Sequence, residues 1–382
     1  MKILKKYKLD CKLFDGYKPC KYKRENCIQC PTYAPKGKII CLINLDAMGD
    51  VLMTTALLKP IKKKYPVSTI FWITDKSSTA VLKNNPLIDK IFPFGFETFI
   101  SLKNIKFDII LNVDKSMRSA SLAMDLQAPL KKGYALSEHG SIIPFNKEAE
   151  YAYELGLNDD LKFNVNTQTG QQLLAESFGF EYQRDEYILD LDEEQKSFVT
   201  TYKKENKLTE KDIIIGINTG CSSLYPNKKF RIEHILKLCR MIHKDHPKVK
   251  IALFGGRDES QRNKEITNAL SFPVISTPTE MGLKTGIAVM DIADIIISGD
   301  TLGMHIGIGL KKRMIVWFNL SCPQEIDLYE RGEKIVSKVK CAPCWKRSCD
   351  TLDCLDRIEI EEIYEAVKRE IQKVKKNKNS DH

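Results

Sequence analysis

Short apolar runs alternate with amphipathic stretches along this chain, and that alternation predicts an α/β fold. Ile39 to Asn44 (IICLIN), Phe71 to Thr74 (FWIT) and Phe107 to Val113 (FDIILNV) are apolar runs of strand length with helical pieces between them. A helix is expected from about Asp50 toward Tyr65, kinked at Pro60. The pattern restarts with Asp212 to Gly220 (DIIIGINTG), then an amphipathic helix with Ile232, Ile235, Leu236 and Cys239 on one face, then a strand at Ile251 to Gly256. Ile295 to Ile297 reads as strand, Ser298 to Asp300 as a tight turn, Thr301 to Leu310 as a short helix and Met314 to Phe318 as strand. Such alternation predicts mainly parallel sheets. A charged, helix-prone stretch, 185–210, holds the expected hinge between two Rossmann-like domains, 38–190 and 205–340. Residues 1–37 and 341–382 flank them. The last helix, about Ile358 to Lys375, carries Ile360, Ile363, Val367, Ile371 and Val374 along one stripe and is expected to dock on the body.

Composition narrows the class. At 382 residues the chain can bury two cores, and 43% apolar with 29% charged residues is ordinary globular usage. No segment approaches the ~18 unbroken apolar residues of a membrane span. The first residues, MKILKKYKLDCKLFDGYK, are too poor in apolar side chains for a signal peptide, so a cytoplasmic protein is expected. The net charge of +10 suits nucleic acid, an anionic membrane surface or phosphorylated substrates, and chooses none of them.

Eight of the twelve cysteines fall into two sets of four. Cys11, Cys20, Cys27 and Cys30 lie in a lysine-rich segment with little apolar periodicity. Cys341, Cys344, Cys349 and Cys354 are spaced compactly enough for four sulfurs to reach one ion at ~2.3 Å. Without a secretion signal, both sets point to metal ligation over disulfides, and zinc and iron both fit. Cys41, Cys221, Cys239 and Cys322 are isolated and read as small buried residues.

The turn at Ser298 to Asp300 opens a helix whose first amides point beyond the carboxyl ends of the strands. Asp300 or Thr301 can cap it, and Gly303, Gly307 and Gly309 leave the backbone bare for an anion. His305 lies four residues after Thr301, on the same face. By itself this could equally be a capped buried helix with a satisfied histidine.

GDTLGMHIGIGLKK resembles the carboxyl-terminal signature of the glycosyltransferase family 9 heptosyltransferases, Asp-Thr-Gly-x-x-His followed by small residues. Asp300, Thr301 and His305 stand in register, with Leu302 at the usual glycine position and Gly303 after it. LDAMGDVLMTTALLKPIKKKYP resembles the family's first loop, a Gly-Asp pair before a Thr-rich helix start, and the match falls on Gly49 and Asp50. The resemblance covers roughly residues 38–358 and implies a GT-B fold, two Rossmann-like domains facing a cleft. The first domain would take the acceptor and the second the nucleotide-sugar. It implies an inverting transferase that uses an ADP-sugar such as ADP-heptose, with Asp50 as the base. Lys228, or its neighbour Lys229, would meet the diphosphate, Glu259 the ribose and Met281 the adenine. Thr219 and Gly220 fall at the end of the Asp212 strand, beside the donor. Lys115 and Arg118 match the acceptor region loosely.

In GT-B chemistry a helix amino terminus and cationic side chains stabilise the departing diphosphate, so no catalytic metal is expected. The expected acceptor is a lipid-linked glycan, a lipopolysaccharide core sugar, with a protein acceptor, as in autotransporter heptosyltransferases, as the alternative. Peripheral contact with the inner membrane would follow from a lipid-linked acceptor. Some of those autotransporter enzymes carry iron on such cysteines. A zinc-bearing nucleic-acid binder would explain the cysteines and the charge, but neither Asp50 nor the helix motif, and nucleic acid is not expected as a partner. An oxidoreductase is disfavoured because no G-x-G-x-x-G follows the Ile39 strand.

Overall fold

The computed structural model describes residues 3–23 and 26–380. It contains two six-stranded sheets. The first comprises β1 (Lys38–Ile43), β2 (Ser68–Thr74), β3 (Lys90–Pro93), β4 (Ile109–Asn112), β5 (Leu130–Leu136) and β6 (Ile142–Pro144). The second comprises β7 (Ile214–Asn218), β8 (Lys250–Phe254), β9 (Ile275–Ser276), β10 (Ile295–Gly299), β11 (Arg313–Phe318) and β12 (Gly332–Val336). The orders are β3-β2-β1-β4-β5-β6 and β12-β11-β10-β7-β8-β9, so each sheet has the doubly wound order, traversed in the same sense. All pairs are parallel except β5 with β6. Ile43 lies opposite Ile73 and Asn112, and Ile297 lies opposite Ile217 and Ile315. The strand order reverses direction between β1 and β4 and between β7 and β10, which is where such sheets present ligand-binding turns.

Continuous apolar runs make these strands because both faces are covered. Every residue of β2 and β10 is buried, and so is all of β11 except Arg313. The helix Ile360–Ser380 docks as expected: Ile360, Ile363, Val367, Ile371 and Val374 join Ile215, Ile235, Cys239 and Ile315 in one apolar cluster. Each such side chain contributes about 1.5–3 kcal/mol by burial. Glu370 on the same helix is fully buried and is held by Arg313 and Lys373.

The chain divides into two compact units. The first takes Met1–Ala47, Thr54–Asn158 and Gln171–Asp185; the second takes Met48–Met53, Asp159–Gly170 and Glu186–His382. The expected limits at 190 and 340 differ from this division. Residues 1–37 join the first unit, tied by Lys12 to Asp89 at 2.8 Å and by the Thr69 hydroxyl donating to Lys36 O at 2.7 Å. Residues 341–382 join the second through the terminal helix.

The helix expected after β1 also differs. It runs as Met48–Thr54, a 3₁₀ turn Thr55–Leu57, then Leu58–Lys64. Proline has no N–H to donate back into a continuous helix, and the break leaves Pro60 in the first turn of a new one, where none is needed.

Candidate active site

The second unit's site is built at the β7–β10 reversal. Asn218 ends β7, and its carboxamide nitrogen donates toward Gly220 O (3.0 Å), Ser298 Oγ (3.1 Å) and Thr301 Oγ1 (2.9 Å). That clamp joins the two carboxyl ends and corrects one expectation. Thr301 is the N-cap of the helix Leu302–Gly309, but its side chain makes no capping bond, because Asn218 holds the hydroxyl away. The glycines of this helix serve packing. A Cβ on Gly303 would meet the Asn218 carboxamide at 2.6 Å, one on Gly307 the Met314 sulfur at 2.5 Å, and one on Gly309 Leu189 at 3.0 Å. Bare positions here let the helix lie close on the sheet.

Lys228 closes the 3₁₀ turn Pro226–Lys228 in the loop after β7 and reaches Asp300 Oδ2 at 2.7 Å. Both side chains are buried, 9% and 11% exposed. Burial alone would raise the Asp300 carboxyl, but the Lys228 ammonium outweighs it and holds the group below the usual carboxylate range. The lysine also lies 4.2 Å from the Trp345 ring centroid and 5.2 Å from that of Tyr225. Trp345 was not singled out in the sequence, where it sits anonymously between Cys344 and Cys349. Its loop is bonded to the segment after β11, where Leu320 O accepts from Cys344 N and Trp345 N at 2.9 Å, and to the lysine's own loop, where Asn227 Nδ2 donates to Lys346 O at 3.3 Å.

His305 is buried, and burial pushes its imidazole below the usual histidine range, against the pull of Asp300 and Asp50. The ring is therefore neutral at pH 7. Its Nδ1 lies 3.2 Å from the Tyr187 hydroxyl, and the two rings stack at 5.9 Å between centroids. Burial holds the Tyr187 phenol well above its ordinary value, so it keeps its proton. The Cδ2–Nε2 edge of the His305 ring faces Gly49, where a Cβ would come within 2.5 Å of Cδ2 and 2.9 Å of Nε2. Only glycine lets the imidazole approach so closely. Asp50 follows in the first turn of Met48–Thr54, exposed to solvent, with its charge felt by His305 and Tyr187. The two motifs, about 250 residues apart in sequence, thus meet through Gly49 and His305.

The other donor-side candidates lie around β8. Glu259 is buried after Gly255 and Gly256, accepting from Gly256 N at 3.0 Å, with Lys229 at 4.0 Å. A Cβ on Gly220 would strike its carboxyl carbon at 2.6 Å, so Gly220 makes room for the carboxylate. Lys228 and Lys229 therefore face different carboxylates, Asp300 and Glu259. The Thr219 hydroxyl is spent inside, 2.9 Å from Phe254 O and 2.6 Å from Asn263 Oδ1. Met281 is 56% exposed at the N-cap of the helix Gly282–Met290, so it is not a core methionine.

In the first unit, Arg118 is paired with Asp46 and, at 2.8 Å, with Asp75, and Lys115 bonds to Ala152 O and lies over the Tyr134 ring at 5.2 Å. A cavity of about 230 Å³ lined by Ile40, Lys64, Tyr65 and Phe180, among others, opens toward the amino ends of β1, β4 and β5. It lies at the end of that sheet opposite its ligand-presenting turns. The Cys354 thiol is raised by burial first, and then by the charges of Cys344, Cys341 and Cys349. Among the described residues, no three or more His, Cys, Asp or Glu side chains already stand in a metal-ligand array.

Comparison with known proteins agrees with this geometry. Residues 96–354 match the family model "Glycosyltransferase family 9 (heptosyltransferase)". The chain is 26% identical over 344 residues to "Lipopolysaccharide heptosyltransferase 1" of Campylobacter coli, covering 86% of this chain and 98% of that one. Its fold is that of a glycosyltransferase family 9 protein from Veillonella parvula (TM-score 0.70, 18% identity, 88% and 98% of the two chains). It is also that of the E. coli ADP-heptose lps heptosyltransferase II (TM-score 0.64, 18% identity, 88% and 99%). The fold class is GT-B. On the family match, which spans more than half its length, this chain belongs to glycosyltransferase family 9 and is a glycosyltransferase.

Proposed function

We propose that this enzyme moves a heptose from ADP-heptose to a lipopolysaccharide core sugar with inversion at the anomeric carbon. The observation that carries the reading is the meeting of Gly49–Asp50 with the Asp300–Thr301–His305 helix within one compact unit. Asp50 takes the proton of the acceptor hydroxyl as its oxygen forms a bond to the anomeric carbon. The bond from that carbon to the diphosphate breaks, and ADP leaves with the electron pair. Lys228 and the free amides at the start of Leu302–Gly309 stabilise the charge that develops. Glu259 accepts from the ribose and Met281 covers the adenine. Neutral His305, fixed by Tyr187, offers a hydrogen-bond donor without adding a charge beside Asp50.

Cys341, Cys344, Cys349 and Cys354 would hold a structural zinc or iron, their C-x2-C-x4-C-x4-C spacing supplying four thiols within one short loop. Such an ion would pin the loop that carries Trp345. No helix among the described residues is long and apolar enough to cross a membrane. A cytoplasmic enzyme working at the anionic inner membrane face suits the +10 charge and a lipid-linked acceptor.

The test incubates purified protein with ADP-heptose, ADP-glucose or UDP-glucose and a heptose-deficient lipopolysaccharide acceptor, following nucleotide release and acceptor mass. Heptose-dependent ADP release with a matching mass gain is expected. Equal or greater transfer from UDP-glucose would overturn the donor assignment.

A further inference from the structure

We propose that Cys11, Cys20, Cys27 and Cys30 form a four-thiolate site for one tetrahedral divalent transition-metal ion, zinc by its chemistry, independent of the transfer reaction. The four cysteines are spread over twenty residues of chain yet all line one cavity of about 10 Å³, together with Lys8, Phe14, Thr32 and Tyr33. That volume matches a single small sphere and admits no organic ligand.

Each of the four cysteines also opens a hydrogen-bonded turn. Cys11 O accepts from Phe14 N (3.2 Å), Cys20 O from Lys23 N (2.7 Å), Cys27 O from Cys30 N (3.4 Å) and Cys30 O from Tyr33 N (3.2 Å).

The segment has little apolar core to order it. Among the described side chains up to residue 37, the buried apolar ones are Cys11 and Cys27, while Leu9, Tyr17, Tyr22, Ile28 and Tyr33 are exposed. A segment without an apolar core folds only if another interaction replaces that core, and four thiolates on one ion do so. Binding draws the sulfurs inward to about 2.3 Å from the ion and releases the thiol protons to solvent. The centre carries a net charge of about −2 by this count of ligands, and Lys8 on the cavity wall opposes it. None of the four is in a disulfide, so no S–S bond has to break first.

Two experiments on the full chain test this. In the first, reduced protein is loaded with zinc and alkylated with and without a chelator, and the four peptides are read by mass spectrometry. Protection of all four cysteines together, lost together on chelation, is expected. Equal alkylation in both conditions, or recovery of these cysteines as disulfides, would overturn the site. In the second, a Cys20→Ser/Cys30→Ser variant is compared with the parent by elemental analysis and cobalt(II) loading. The variant should hold about one ion fewer per chain, with a weaker sulfur-to-cobalt charge-transfer band and unchanged transfer. Zinc or iron lost with this pair supports the site. Metal content equal to the parent's refutes it.

Discussion

Lys228→Met tests whether the buried lysine is held for the donor or for the fold. The change removes the ammonium 2.7 Å from Asp300 while keeping the side chain's length and apolar stem. Both partners are about nine-tenths buried, so the carboxylate left behind is an uncompensated interior charge, at a cost of about 3–5 kcal/mol. The pH dependence changes sign. In the parent, the depressed Asp300 carboxyl contributes stability above the ordinary Asp range, lost as pH falls below about 4. In Lys228→Met, burial acts without its counterweight and the carboxyl rises, so stability instead falls as pH climbs above about 4. Adding Asp300→Asn removes the stranded charge and should restore most of the stability. It should not restore donor affinity, and transfer should stay about 10²-fold slow, since the group facing the diphosphate is gone. Denaturant unfolding of both single variants and the double variant, with donor calorimetry and initial rates, separates the two effects. A loss below about 1 kcal/mol in Lys228→Met, the scale of an exposed pair, would refute the buried-pair argument. Donor loss in Lys229→Ala but not Lys228→Met would move the diphosphate contact to Lys229, beside Glu259.

Trp345→Ala should weaken the donor by about 2- to 30-fold, the scale of a cation–π contact of about 0.5–2 kcal/mol to Lys228, with Trp345→Phe intermediate. A donor titration unchanged in both would leave Trp345 a packing residue. His305→Gln should flatten the acid limb of stability. In the parent the folded ring resists protonation, so the unfolded chain binds the extra proton and stability falls as pH drops below about 6.5, by up to about 1.4 kcal/mol per pH unit. Denaturant unfolding at pH 7.5 and 5.5 should show a smaller difference for the variant than for the parent.

What the sequence made legible was local. β1, β8, β10 and β11 are apolar runs bounded by turns, and the terminal helix has an unambiguous stripe, so covering both faces of a sheet explains them directly. β5 and β12 were not foreseen, because LKKGYAL and GEKIV interrupt the apolar pattern with lysines that lie at sheet margins. β9 has two residues, too few for any periodicity. In the site, Gly49, Asp50, Asp300, Thr301 and His305 were recognisable from the resemblance of two motifs to those of the family. Their reasons were not, because they depend on chain-distant partners. Gly49 is bare for His305, Gly220 for Glu259, and Thr301 turns from its helix toward Asn218. Tyr187 and Trp345 carry no local signal at all; only folding brings one to His305 and the other to Lys228.

The central claim is glycosyl transfer with Asp50 as the base, and Asp50→Asn tests it most directly. Asparagine keeps the size of the side chain in the first turn of Met48–Thr54 but cannot take a proton. A mere helix-dipole partner would cost about 0.3–1 kcal/mol of stability and leave transfer nearly intact. Turnover, donor affinity and melting temperature are measured on one preparation with ADP-heptose and the heptose-deficient acceptor. The account predicts turnover reduced by about 10²–10⁴-fold with donor affinity and melting temperature little changed. Turnover within about threefold of the parent, well short of that range, would contradict it.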